Sequence, residues 1–157
     1  MKLHRLLAIV AIVVIDQASK TLALRVLEPG RPLELIEGIF RFTLTSNAGG
    51  AFGLFQDLGG VITVLAVLVS LGILGLLLWG PPQPRSLTAG LICIAGGALG
   101  NLIDRFLHGA VIDFLELRWG HFSWPVFNLA DTVIVLGTGL VLFALLSAEH
   151  QGAHEPQ

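Results

Sequence analysis

Residues Leu58 to Gly80 form 23 consecutive positions without a formal charge. A helix crossing the bilayer's hydrocarbon core needs about 20 mostly apolar residues. This run is therefore long enough to span, and three further segments approach it. Ser86 to Ile103 is a second run of 18 residues without a charge. A segment from about Pro125 to Ala148 is interrupted by Asp131, and one from Leu3 to about Val26 contains Asp16 and Lys20. These segments predict four transmembrane helices, at about 3–26, 58–80, 86–104 and 125–148. Only 13% of the chain is charged, against about a quarter in soluble domains. There is too little charge to coat a water-facing surface.

Three prolines between Pro81 and Pro84 cannot continue a helix, so the middle two helices form a hairpin. The basic start and short apolar run of the first segment imitate a signal peptide. No small-x-small cleavage site follows, and Asp16 to Lys20 interrupts the run where a signal would finish, so the segment is expected to remain as a helix. The two long connections lie on one face. Residues 28–57 read as a β platform: Phe40, Phe42 and Leu44 alternate with Arg41, Thr43 and Thr45, and Leu33 to Ile36 is a partner strand across Glu37-Gly38. A second surface element, at about 106–124, alternates likewise and places Asp113 with Val111, Leu115 and Leu117. The whole is expected to be a single integral membrane domain. Gly90, Gly96, Gly97 and Gly100 mark a helix whose neighbours approach closely.

Several function classes drop out. The net charge of −2 comes with no basic stripe, which argues against nucleic acid. One cysteine and five scattered histidines offer no metal-ligand spacing, and no cofactor is implied. What remains are polar residues inside apolar segments, each costing a few kcal/mol and therefore functional by default. Asp16 and Lys20 are four apart on the first helix. Asn101, Asp104 and Arg105 end the third, and Asn128 and Asp131 open the fourth. Because successive helices alternate in direction, these spots share one membrane face with the loops carrying Asn47 and Asp113. Structural roles come to mind for several of them. Asp16 with Lys20, and Asp104 with Arg105, suggest ion pairs; Asn101 and Asn128 suggest interhelical hydrogen bonds; Asn47 and Gly49 suggest a turn.

Five motifs, in order, carry a resemblance. They are Asp16-Gln17-Ala18-Ser19-Lys20, Asn47-Ala48-Gly49-Gly50-Ala51-Phe52-Gly53, Gly97 through Arg105, Val111-Ile112-Asp113-Phe114, and Phe127-Asn128-Leu129-Ala130-Asp131. Together they make the chain similar to the bacterial lipoprotein signal peptidases (signal peptidase II). Gly50 departs from the family's usual alanine. The resemblance implies an aspartyl endopeptidase that cuts diacylglyceryl-modified prolipoproteins before the lipidated cysteine. It makes Asp113 and Asp131 the catalytic pair. Asp16, Lys20, Asn47, Gly49, Asn101, Asp104, Arg105 and Asn128 become substrate-binding or supporting residues. It further implies a bacterial inner-membrane location with the site facing the periplasm or exterior, cytoplasmic termini, membrane lipid as partner, and inhibition by cyclic lipopeptides; a monomer suffices. The Lys/Arg count, three on the terminal face against six on the loop face, points the other way on orientation. The rival readings are a small proton- or ion-coupled carrier using Asp16, Asp104 and Asp131 as relays, and an assembly subunit.

Overall fold

The computed structural model describes residues 2–48 and 59–152. The elements run α1 (Lys2–Val26), β1 (Leu33–Ile36), β2 (Phe40–Asn47), α2 (Gly59–Trp79), α3 (Arg85–His108), β3 (Val111–Trp119), β4 (Phe122–Ser123) and α4 (Leu129–Gly152). Four helices are long and apolar enough to cross a membrane. The strands form one antiparallel sheet in the order β1-β2-β3-β4, so the fold is the expected helical membrane bundle with a small β platform.

α3 is the central helix. Its most extensive contacts are with α4, followed by α1 and α2. Glycine makes the close approach possible. A Cβ on Gly97 would lie 2.5 Å from the Ala130 carbonyl oxygen of α4, and one on Gly100 would collide with the Asp16 carboxylate of α1. Lipid-like surroundings give helices no hydrophobic reason to associate, so this loss of side-chain bulk, which brings backbones and buried polar groups into contact, does the joining. An apolar cluster of Ile9, Leu77, Leu91 and Ala95 fills the other end of the bundle. There Arg5 of α1 donates from Nη1 to the Leu77 carbonyl oxygen, near the C-terminal end of α2, where a cation complements the helix dipole.

At the sheet end, α3 stops where Gly109 adopts φ 74° and returns its N–H to the Arg105 carbonyl, a left-handed cap that glycine takes without steric cost. The chain then turns directly into β3. Residues 106–124 and the platform strands, read separately in the sequence, join through β2 and β3: Arg41 lies opposite Glu116, and Thr45 opposite Asp113. A register shift between Phe42 and Thr45 interrupts the ladder. Phe114 is buried with Ala23 and Leu27 at the end of α1, fastening the sheet to the bundle. Residues 125–128, which apolar counting merges with the last helix, remain outside it: Phe127 bridges to Leu115 of β3, and α4 begins only at Leu129.

Candidate active site

Asp113 and Asp131 come from different elements, a central strand and the first turn of a helix, and line one cavity of about 290 Å³. Asn47 and Arg105 contribute to its polar side. Trp124, Phe127, Ile134 and Val135 form an apolar wall. The wall runs along α4 towards Val135, which is 70% exposed on the face directed away from the bundle.

Asp113 is 1% exposed. Its Oδ1 accepts from Asn128 Nδ2 at 2.6 Å and its Oδ2 from Asn47 Nδ2 at 3.0 Å. Burial pushes its carboxyl up to about 6; the neighbouring Asp131 adds to the rise, while the two amides and Lys20 oppose it. Desolvation penalises the charged form, and hydrogen bonds to that form favour it. The order of these effects leaves Asp113 easier to protonate than an ordinary aspartate.

Asp131 is held from two sides. Asn101 Nδ2 donates to its Oδ1 at 2.8 Å, and the Asn128 backbone N–H donates to its Oδ2 at 3.2 Å. In return Asn128 Oδ1 accepts from the Asp131 backbone N–H at 3.0 Å. This reciprocal exchange is a capping box, with Asn128 at the N-cap and Asp131 at N3. It explains both why α4 starts where it does and why the Asp131 carboxyl points back to the sheet. Asn128 thus touches both acids, one through its side chain and one through its backbone.

Behind them lies a second polar layer. Lys20 Nζ reaches Asp16 Oδ2 at 2.8 Å, Asp104 Oδ2 at 2.8 Å and Asn101 Oδ1 at 2.8 Å. Lys20, Asp16 and Asp104 are all at most 2% exposed. The expected Asp16–Lys20 pair is present. The expected Asp104–Arg105 pair is replaced by Asp104–Lys20, because consecutive residues on a helix point in different directions. Arg105 turns instead towards the cavity, with a long contact of 3.4 Å from Nη1 to the Asn101 carbonyl. Each acid of this layer also grips backbone. Asp16 Oδ1 accepts from the Ala130 N–H at 3.0 Å, beside Asp131. Asp104 Oδ2 accepts from the Ile112 N–H at 3.1 Å, beside Asp113.

The structure thus brings together Asp16, Lys20, Asn47, Asn101, Asp104, Arg105, Asp113, Asn128 and Asp131. Gly49, with Gly50 and Phe52, lies outside the described residues. Reasoning from sequence missed Gln17, whose Nε2 donates to Asp104 Oδ1 at 2.9 Å and the Gly100 carbonyl at 3.1 Å, with a longer contact to Asp16. A second uncharged donor beside two buried acids was the available signal. Glu116 was missed as well: it sits on the sheet with Arg41, Thr43 and Ser123. Among the described residues no cluster of three histidine, cysteine, aspartate or glutamate side chains could hold a metal ion.

Known proteins match the chain over most of its length. The chain is 40% identical over 150 residues to the lipoprotein signal peptidase of Xylella fastidiosa strain M12, covering 92% of this chain and 90% of that one. It is 40% identical over 151 residues to the lipoprotein signal peptidase of Moorella thermoacetica, covering 96% and 98%. The fold superposes on a bacterial membrane enzyme solved by the in meso method at 2.3 Å, with a TM-score of 0.87 over 98% of this chain and 94% of the other at 24% identity. A second such enzyme, solved at 1.9 Å, gives a TM-score of 0.80 at 26% identity, covering 91% and 92%. The sequence model of signal peptidase (SPase) II matches residues 8–147. The chain therefore belongs to the signal peptidase II family and is a multi-pass bacterial membrane protease.

Proposed function

We propose that this protease is an aspartyl endopeptidase that removes the signal peptide from diacylglyceryl-modified prolipoproteins, cutting before the lipidated cysteine, with Asp113 and Asp131 as its catalytic pair. One observation carries the reading: two acids from separate elements face a single cavity and share Asn128 as a hydrogen-bond partner. Such a pair can activate water without a covalent intermediate. Asp131 begins as the base and takes a proton from water. The resulting hydroxide oxygen attacks the scissile carbonyl carbon, while protonated Asp113 donates to the carbonyl oxygen. As the tetrahedral intermediate collapses, Asp113 recovers its proton from the hydroxyl group. Asp131 delivers its own to the departing nitrogen, and the carbon–nitrogen bond breaks. The roles follow from environment: burial favours the neutral form of Asp113, and two close carboxyls titrate as one coupled unit.

The apolar wall of the cavity suits a substrate whose acyl chains stay in lipid while its peptide crosses the polar end. Confinement of both molecules to the membrane supplies part of the encounter and orientation. The site faces the periplasm or exterior, and both termini are cytoplasmic. The loop-face cations Lys20 and Arg41 are engaged with acids, so they are poor reporters in a charge count. The carrier reading is weaker, since a relay needs acids stepped across the bilayer whereas these gather at one end. Replacing Asp113 or Asp131 by asparagine should lower turnover by at least about 10³-fold and leave lipidated precursor uncleaved in membranes, with the variant still folded. Normal processing by either variant would refute the assignment.

A further inference from the structure

We propose that Lys20 fixes the polarity of the two side-chain amides holding Asp113 and Asp131, and so acts as a positioning residue for peptide cleavage; this rests on the reading of those acids as the catalytic pair. An ammonium group has three donors and no acceptor. Those of Lys20 are directed to Asp16, Asp104 and Asn101, each at 2.8 Å. Asn101 must therefore turn its oxygen to Lys20, which leaves its NH₂ for Asp131 Oδ1 at 2.8 Å. The same oxygen accepts from Asn128 Nδ2 at 3.1 Å. That contact turns the NH₂ of Asn128 to the side where it also meets Asp113 Oδ1 at 2.6 Å. The oxygen of Asn128 is left for the Asp131 N–H at 3.0 Å. One cation, touching neither acid of the pair, thus sets the polarity of Asn101 and reinforces that of Asn128, whose oxygen the Asp131 N–H also holds, so that both acids receive donors.

Without Lys20, neither end of the Asn101 amide is preferred on that side. A reversed Asn101 would set a lone pair against Asp131 and withdraw the acceptor that orients Asn128. Hydrogen bonds to a charged partner are about twice as strong as neutral ones, so no neutral replacement selects the orientation equally well.

A plainer role for Lys20 is to neutralise Asp16 and Asp104, and the two roles make different predictions. In the parent these three groups carry one formal net negative charge. The double variant K20M/D16N carries the same charge and lacks the ammonium. Turnover of a synthetic lipidated precursor should be measured in reconstituted bilayers, with the folded fraction checked by thermal unfolding. Amide polarity predicts that K20M/D16N loses kcat by about 10²-fold with KM nearly unchanged. Its alkaline limb should also move to higher pH. The groups facing Asp113 are Asn47 from β2, Lys20 from α1, Arg105 from α3, and Asn128 and Asp131 at the start of α4. Removing the cation and disordering its amide donor both favour protonated Asp113, so an acid in that role stays competent to higher pH. K20M/D104N, which also conserves the charge and leaves Asp16 on the Ala130 N–H, should show the same loss and decides the matter if the first double variant does not fold. Parent-like kcat in either folded variant, or a change confined to KM, overturns the inference. The assignment of Asp113 and Asp131 as the catalytic pair fails instead if the asparagine variant at either position stays active.

Discussion

Two ion clusters in this molecule use similar chemistry to hold different things. In the bundle, Lys20 binds Asp16 and Asp104, with Gln17 as neutral donor. On the sheet, Arg41 binds Glu116 through two contacts of 2.7 and 2.8 Å, with Thr43 and Ser123 as neutral donors. The first is almost wholly excluded from solvent; the second leaves the Arg41 side chain 23% exposed. The first ties α1 and α3 to the backbone beside both candidate catalytic acids. The second ties β2, β3 and β4 to one another in register. A buried ion pair gives little net stability over apolar packing, but breaking it by removing one partner is costly. Both clusters therefore act chiefly to specify an arrangement, and the drier one specifies the arrangement around the proposed catalytic pair.

That contrast can be broken by experiment. Asp104→Ala should cost about 3–5 kcal/mol, since it strips one carboxylate from a buried lysine and orphans the Ile112 N–H. Thermal unfolding in lipid nanodiscs measures it; a loss under 1 kcal/mol would mean that the bundle cluster constrains little. Glu116→Gln should cost less, about 1–3 kcal/mol, and loosen the sheet before the bundle, as read by hydrogen exchange of β2 and β3 amides. Acid sharpens this case. Burial alone would raise the Glu116 carboxyl, but bonds from Arg41, Thr43 and Ser123 overcome it and hold the group at about 2, below its ordinary 4.5. Its contribution is present above about pH 4.5 and drains away as pH falls towards 2. The parent sheet should open over that window and the glutamine variant should show no such step. Asp113 has the opposite sign: with its carboxyl raised from 3.8 to about 6, its cost to stability grows as pH rises between those values and is fully present above about pH 6. The smallest effect belongs to Arg31 and Glu28, a 3.0 Å pair at 81% and 69% exposure. Arg31→Ala should leave the unfolding free energy within about 0.5 kcal/mol of the parent, and a larger change would undo the distinction between dry and wet pairs.

How much of this could be read from the chain varies with the range of the interaction. The helices were legible because spanning is a local property of apolar length. So was the Leu33–Ile36 and Phe40–Asn47 pairing, which a tight turn at Glu37-Gly38 sets. The acids stood out because a charge is expensive in a spanning segment. The merger of residues 111–119 with the platform was not legible: a strand pairing across some 70 residues leaves no periodic mark. Nor was the choice of Lys20 over Arg105 as partner of Asp104, which depends on helix rotation. Glu116 escaped for a related reason, since an acid on the strand face of Ile112 and Phe114 shows no sign of its partner in the local sequence until Arg41 arrives from another strand to cover it.

The capping box at Asn128 and Asp131 ties the proposed catalytic pair to the order of a single helical turn. Helix ends fray more readily than helix middles, so a detergent or a modest rise in temperature that unwinds residues 128–132 would disable the enzyme while the rest of the bundle stays intact. Loss of activity should then precede bulk melting, and a bilayer that clamps this turn should protect turnover more than it protects the fold.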